Sequence, residues 1–202
     1  MANNIRVLTF AITLAVVCSA LVAGFSIFTE PRRVANERAD EVRNVLESVG
    51  ADVPPEADAQ ELLDIFQRTI DVMEREGITL YQYTGASGGV EAIAVPVTGA
   101  GLWGPIEGAV ALEPDLRTIR GVRFFRQQET PGLGGEIGAA WFQEQFSGKS
   151  LVSPSGRPGF EIVRPDVATD QNSVEGITGA TMTSDKVEII LDTLAKRLAQ
   201  VR

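Results

Sequence analysis

ITLYQYTGASGGVEAIAVPVTGAGLWGPIEGAVALEPDLRTIRGVRFFR, from Ile78 to Arg126, is the stretch that decides the fold. Apolar and β-branched residues gather there in short runs: Ile78–Tyr83, Val90–Val97, Ile106–Leu112 and Thr118–Arg126. Runs of this length and composition read as strands. They are separated by Gly85-Ala-Ser-Gly-Gly89, Gly99-Ala-Gly101 and Pro114-Asp-Leu-Arg117. These are turn-type linkers, so the strands are expected to be antiparallel neighbours.

On either side of this stretch the apolar period becomes helical. Val34, Ala35, Ala39, Val42, Val45, Leu46 and Val49 share one face of a helix expected over Pro31–Val49. Pro54-Pro55 breaks it. A second helix is expected over Ala59–Glu76, with Leu62, Ile65, Phe66, Ile70 and Met73 as its stripe and Gly77 as its end. Downstream, Thr130–Gly135 reads as a loop, Glu136–Phe146 as a short helix and Phe160–Val163 as a strand. Asp185–Val201 reads as a closing helix buried through Val187, Ile190, Leu191, Leu194 and Leu198. Helices flanking an antiparallel sheet make the class α+β.

Upstream of all this, Val7–Phe28 carries no charge. As a helix it spans about 33 Å, enough for a bilayer core. A cleaved signal peptide has an apolar region of only about 7–15 residues. Here Phe25-Ser-Ile-Phe28 continues past the small residues Ala20–Gly24. Residues 1–30 are therefore expected to be a retained transmembrane anchor, and 31–202 the folded domain. Cys18 lies inside the apolar run and serves there as a small apolar residue. Arg32, Arg33, Arg38 and Arg43 outnumber Arg6 on the other flank, which by the positive-inside rule leans the domain toward the cytoplasm.

Composition removes much chemistry. The 202 residues include no histidine and one cysteine. Triads built on histidine, histidine-ligated zinc or haem, thiolate-held iron–sulfur clusters and an internal disulfide are all excluded. With 27 acidic against 18 basic residues, net −9, there is no basic footprint for nucleic acid. No nucleophile is paired with a base, so neither a catalytic residue nor a metal site is expected.

Two glycine-rich loops stand out. Glu129-Thr-Pro-Gly-Leu-Gly-Gly135 has neither the lysine of a P-loop nor the Gly-x-Gly-x-x-Gly spacing. It brings backbone N–H groups close to something, or is an ordinary turn between strand and helix. Ile177-Thr-Gly-Ala-Thr-Met-Thr-Ser-Asp185 precedes the last helix. Small residues, four hydroxyls and a helix N-terminus suit a phosphate. They equally suit a capped helix start, with Thr183, Ser184 or an Asp185–Glu188 capping box.

The segment Glu175-Gly-Ile-Thr178-Gly179-Ala180-Thr181 resembles the flavinylation motif Asp-x-x-Ser/Thr-Gly-Ala-Thr, with Glu175 in the aspartate position and Thr183 matching the second threonine that follows. Gly101-Leu-Trp-Gly104, Gly108–Asp115, Thr118–Gly121 and Glu129–Glu136 follow in family order. Together they resemble the NqrC/RnfG covalent-FMN-binding family, which holds the C subunits of the sodium-translocating NADH:quinone reductases and the G subunits of the Rnf complexes. The resemblance implies that Thr181 carries FMN through a phosphoester, attached by a separate flavin transferase. It implies that Gly179 and Ala180 leave room beside the phosphate, near Thr178, Thr183 and Glu175. Glu129, Thr130, Gly132, Leu133 and Gly134 would line the ring, and Trp103 would pack beside it or in the core. It further implies electron transfer toward quinone coupled to sodium export, other subunits as partners, an inner-membrane anchor and, against the charge pattern, a periplasmic domain. An Rnf-type role toward ferredoxin or NAD, and a non-redox anchored module, are the alternatives. The uncharged Val7–Phe28 helix offers no carboxylate to hold the ion.

Overall fold

The computed structural model describes residues 2–85 and 88–201, so Ala86 and Ser87 of the expected Gly85–Gly89 turn lie outside the described residues. The chain divides into two compact units, Met1–Asp40 and Glu41–Arg202.

The first unit is helical. Helix α1 runs from Ala2 to Val49, joining what the sequence suggested were two segments. Pro31 lies inside it. Beside it Arg33 bonds Glu30 at 2.6 Å and Glu37 at 2.5 Å, the i+3 and i+4 spacings that support a helix. The helix is long and apolar enough to cross a membrane. Phe10, Leu21, Phe25 and Phe28 stand exposed along it.

In the second unit, α2 (Ala59–Thr69) starts at Asp58, whose carboxylate accepts the amides of Gln60 and Glu61, both at 2.9 Å. The expected continuation to Glu76 is wrong. Ile70–Arg75 is strand β1, paired antiparallel with β2 (Ile78–Thr84) from Ile70↔Tyr83 to Arg75↔Ile78. The reason is the two-residue turn between them. Glu76 and Gly77 both have positive φ, 48° and 70°, the geometry of a tight hairpin and not of a helix end. Spacing of Phe66, Ile70 and Met73 fits either reading until that turn is considered.

The sheet continues through β3 (Val90–Ala100), β4 (Pro105–Leu112) and β5 (Ile119–Arg126), in simple order β1-β2-β3-β4-β5 with every neighbour antiparallel. Alternation gives it two unlike faces. Ile93, Val95, Val97, Val110, Leu112, Ile119, Val122 and Phe124 share one hydrophobic cluster with Val187, Ile190, Leu191, Leu194 and Leu198 of the last helix. Ala92, Ala94, Ala109 and Ala111, one step out of phase, are fully buried outside that cluster. Small side chains there let helices approach the other face. Phe66 of α2 meets Tyr81 edge-on at 5.6 Å. A Cβ on Gly121 would lie 3.1 Å from the Ser48 carbonyl oxygen.

The expected Glu136–Phe146 helix is broken. Gly134–Gly138 and Glu144–Phe146 are 3₁₀ turns around a four-residue α3 (Ala140–Gln143). Three glycines at 134, 135 and 138 withhold helix propensity, roughly 1 kcal/mol each. The aromatic contacts fix the remainder: Phe146 lies 5.3 Å from Phe142, 5.5 Å from Phe160 and 6.4 Å from Phe124. Strand β6 (Glu161–Val163) pairs in parallel with β7 (Ser173–Glu175), a strand too short to carry a period of its own. Helix α4 (Thr181–Val201) closes the chain and begins four residues before the expected Asp185. That early start places Thr181 in the first turn of a helix.

Candidate functional site

Three chain segments meet beside the start of α4. The first is the turn between β3 and β4, where Gly101 N–H donates to the Gly104 carbonyl at 2.8 Å. The second follows β5. Thr130-Pro131-Gly132-Leu133 forms a turn closed by Leu133 N–H on the Thr130 carbonyl at 3.1 Å, with Gly132 at φ 74°. Proline then glycine at the centre is the type II preference. The third is Ile177–Ala180, closed by Ala180 N–H on the Ile177 carbonyl at 3.0 Å with Gly179 at φ 76°.

Between them lies an open cleft of about 270 Å³. Leu102, Trp103, Leu133 and Met182 supply apolar walls; Glu129, Thr130 and Thr183 supply polar ones. Gly134, Gly179, Ala180 and Thr181 complete the lining. Of the expected site residues, Trp103, Glu129, Thr130, Leu133, Gly134, Gly179, Ala180, Thr181 and Thr183 are therefore brought together. Gly132 shapes the turn without lining the cleft, and Thr178 is exposed beside it. Trp103 is 69% exposed, so it is a rim residue and not part of the core.

Glu175 sits elsewhere. Its carboxylate accepts the Asp166 amide at 2.9 Å, and its backbone exchanges bonds with the Gln145 side chain. It braces the segment leading into the site and does not line the cleft. Leu102 and Met182 were missed. An apolar residue in a glycine-bounded turn and one at an exposed helix start were the available signals.

The expected caps of α4 are otherwise engaged. Ser184 N–H makes the first helical bond, to the Ala180 carbonyl at 3.0 Å, so alanine occupies the capping position. Ser184 Oγ accepts the Ile177 amide at 3.2 Å, Glu188 accepts the Ile162 amide at 2.7 Å, and Thr183 donates to Glu129. Among the described residues no side chain takes the amides of Thr181, Met182 or Thr183. The helix thus opens with its positive end uncompensated at the cleft floor.

Those residues suit a planar aromatic ring joined to a phosphate. The ring would find apolar walls, the phosphate a helix start, and Thr181 an exposed hydroxyl between them. Room at the floor is limited to glycine, since a Cβ on Gly179 would lie 3.2 Å from Leu133 Cδ2.

Comparison with known proteins agrees. Residues 101–196, which contain every lining residue, match the FMN-binding domain. The C subunit of the Na(+)-translocating NADH-quinone reductase of Yersinia pestis is 27% identical over 91% of this chain and 85% of that protein. Its counterpart in Neisseria meningitidis serogroup A is 37% identical over 54% of this chain and 42% of that protein. The chain belongs to the family of these C subunits. The crystal structure of the family member from Parabacteroides distasonis superposes with a TM-score of 0.72 at 26% identity, covering 84% of this chain and 94% of that one. The shared architecture is therefore the α+β sheet with flanking helices, and the family is one of oxidoreductase-complex subunits.

Proposed function

We propose that this chain is the membrane-anchored electron-transfer subunit of a sodium-translocating NADH:quinone reductase, and that FMN is joined to Thr181 Oγ through a phosphoester. The observation that carries the reading is the placement of Thr181. It is the exposed first residue of α4, beside unclaimed amides, on the lining of an apolar cleft. FMN, when bound, supplies the one-electron redox chemistry.

The chain's own residues then do four things. Thr181 fixes the group covalently, so it cannot leave with a partner. The amides of Met182 and Thr183 and the dipole of α4 favour the phosphate's negative charge. Leu133 and Met182 exclude water from the ring faces. Trp103, on the rim, leaves one side of the cleft open, as a relay needs when electrons must arrive from and depart to partner centres. The name shared by the Yersinia and Neisseria relatives supports the quinone reductase over the Rnf-type alternative.

The anchor is α1, inserted in the inner membrane, with residues 31–202 as the folded domain on the periplasmic side. The charge pattern around α1 opposes that side. Long domains translocate largely regardless of nearby arginines, and the family resemblance decides for the periplasm. Partners are the remaining subunits of the complex and, during maturation, a flavin transferase. Protein made together with a flavin transferase should be yellow, and its fluorescence should stay with the polypeptide on a denaturing gel. A colourless band, with transferase activity verified on another substrate, would contradict the reading.

A further inference from the structure

Glu129 is 4% exposed, and among the described residues it has no cationic partner. Its charge is held by three donors instead. Oε1 accepts the amides of Leu102 at 2.8 Å and Trp103 at 3.2 Å. Oε2 accepts the Thr183 hydroxyl at 2.5 Å. The side chain therefore ties the β3–β4 turn to the first turn of α4, two walls of one cleft, while belonging to a third.

The surroundings are shaped to admit it. A Cβ on Gly101 would stand 2.6 Å from Oε1, and one on Gly134 would stand 3.0 Å from Oε2 and 2.3 Å from Thr183 Oγ1. A buried charge satisfied only by dipoles is costly to keep, and an apolar staple of similar size would avoid that cost. Its presence on the cleft wall has an electrostatic consequence. A negative charge in a low-dielectric site disfavours adding electrons to a neighbouring group.

We propose that Glu129 is the positioning residue of this cleft and that its buried charge sets the redox potential of the bound flavin. The proposal rests on the reading that Thr181 carries FMN. Glu129 holds the Leu102–Trp103 turn against α4, and it holds the flavin's midpoint potential low.

Two variants move the charge balance in opposite directions. Glu129→Gln keeps an oxygen for the two amides and removes the charge. Thr183→Val keeps the charge and removes the hydroxyl that partly compensates it. Glu74→Gln, on exposed strand β1, removes one charge far along the chain and serves as the control. Spectroelectrochemical titration of the flavin-loaded proteins at pH 8 should give a higher midpoint for Glu129→Gln and a lower one for Thr183→Val. The control should match wild type. Coincident midpoints, or shifts of the same sign in both variants, would overturn the electrostatic role. Amide exchange at Leu102 and Trp103 requires no flavin and should accelerate at least tenfold in Glu129→Ala. Unchanged exchange there would overturn the positioning role. Wild-type protein without covalent flavin would instead sink the reading of Thr181, leaving the exchange result to judge the staple by itself.

Discussion

Glu129 and Thr183, 54 positions apart in sequence, meet in a buried hydrogen bond of 2.5 Å. One belongs to the loop after the sheet and the other to the first turn of the last helix. The cleft therefore exists only when both ends of the second unit have folded. The small residues around this bond follow from it. Any side chain at Gly134 would enter the space that Thr183 Oγ1 occupies.

Gly134→Ala is accordingly an overpacking change at a site where the nearest atoms belong to two hydrogen-bonded side chains. It should lower stability by about 1–3 kcal/mol, the usual range for an added methyl in a packed site. The lower denaturant midpoint should come with lost flavin loading. Gly148→Ala meets nothing within 4 Å, although its φ of 76° still strains alanine, and should lower stability while sparing loading. Equal loading in both variants would count against the role assigned to the 129–183 contact.

The carboxyl of Glu188 is pushed above its ordinary range. Burial is the largest cause, with Asp192, Asp185 and Glu161 adding to it, while the bond from the Ile162 amide opposes. A raised acid binds its proton more tightly when folded. Its contribution is fully present below the unfolded value of 4.5 and is lost as pH rises through the folded value. Glu188→Gln keeps an acceptor for Ile162 and should raise Tm at pH 7, with the gain vanishing toward pH 4. A constant gain across that interval would assign the effect to packing.

Asp115 has the opposite sign. Burial would raise its carboxyl, but the amides of Thr118 and Arg117 and the Thr118 hydroxyl bring it below the usual range. Its contribution is present above the unfolded value and is lost as pH falls through the folded one. Asp115→Ala should lower Tm at pH 7 and differ little from wild type at pH 2–3. A difference that persists in acid would show that the Pro114–Arg117 turn, not the charge, is at stake.

Much of this architecture was legible in the sequence where a single period ran without rival. The strands from Ile78 to Arg126 and the closing helix stripe are of that kind. The failures share one physical origin, in that local spacing was compatible with two structures and a distant contact chose between them. Ile70 and Met73 continue a helical stripe, yet the Glu76–Gly77 turn folds them onto β2. Ser184 and Glu188 carry capping signals, yet both serve amides on other segments, Ile177 and Ile162. The cleft was legible as two loops. Their meeting through Glu129 was not, because nothing local in Glu129-Thr-Pro-Gly says which helix its carboxylate will face.

The foldable unit should include the end of α1. Val45, Leu46 and Val49 are almost completely buried. A chain beginning at Glu41 should fold cooperatively with wild-type circular dichroism. One beginning at Ala51 loses those three side chains, at about 2–5 kcal/mol for each large one, and should fail to fold or aggregate. Cooperative folding without residues 41–50 would place the domain boundary after Gly50.

The most direct measurement is tryptic peptide mapping of protein produced with a flavin transferase, wild type beside Thr181→Val. In wild type the flavin phosphate mass should fall on Thr181 and on no other hydroxyl of the Thr178–Ser184 segment. In Thr181→Val it should be absent, while the melting transition of the flavin-free protein stays close to wild type. Flavin found on Thr178 or Thr183, or retained covalently in Thr181→Val, would contradict the account.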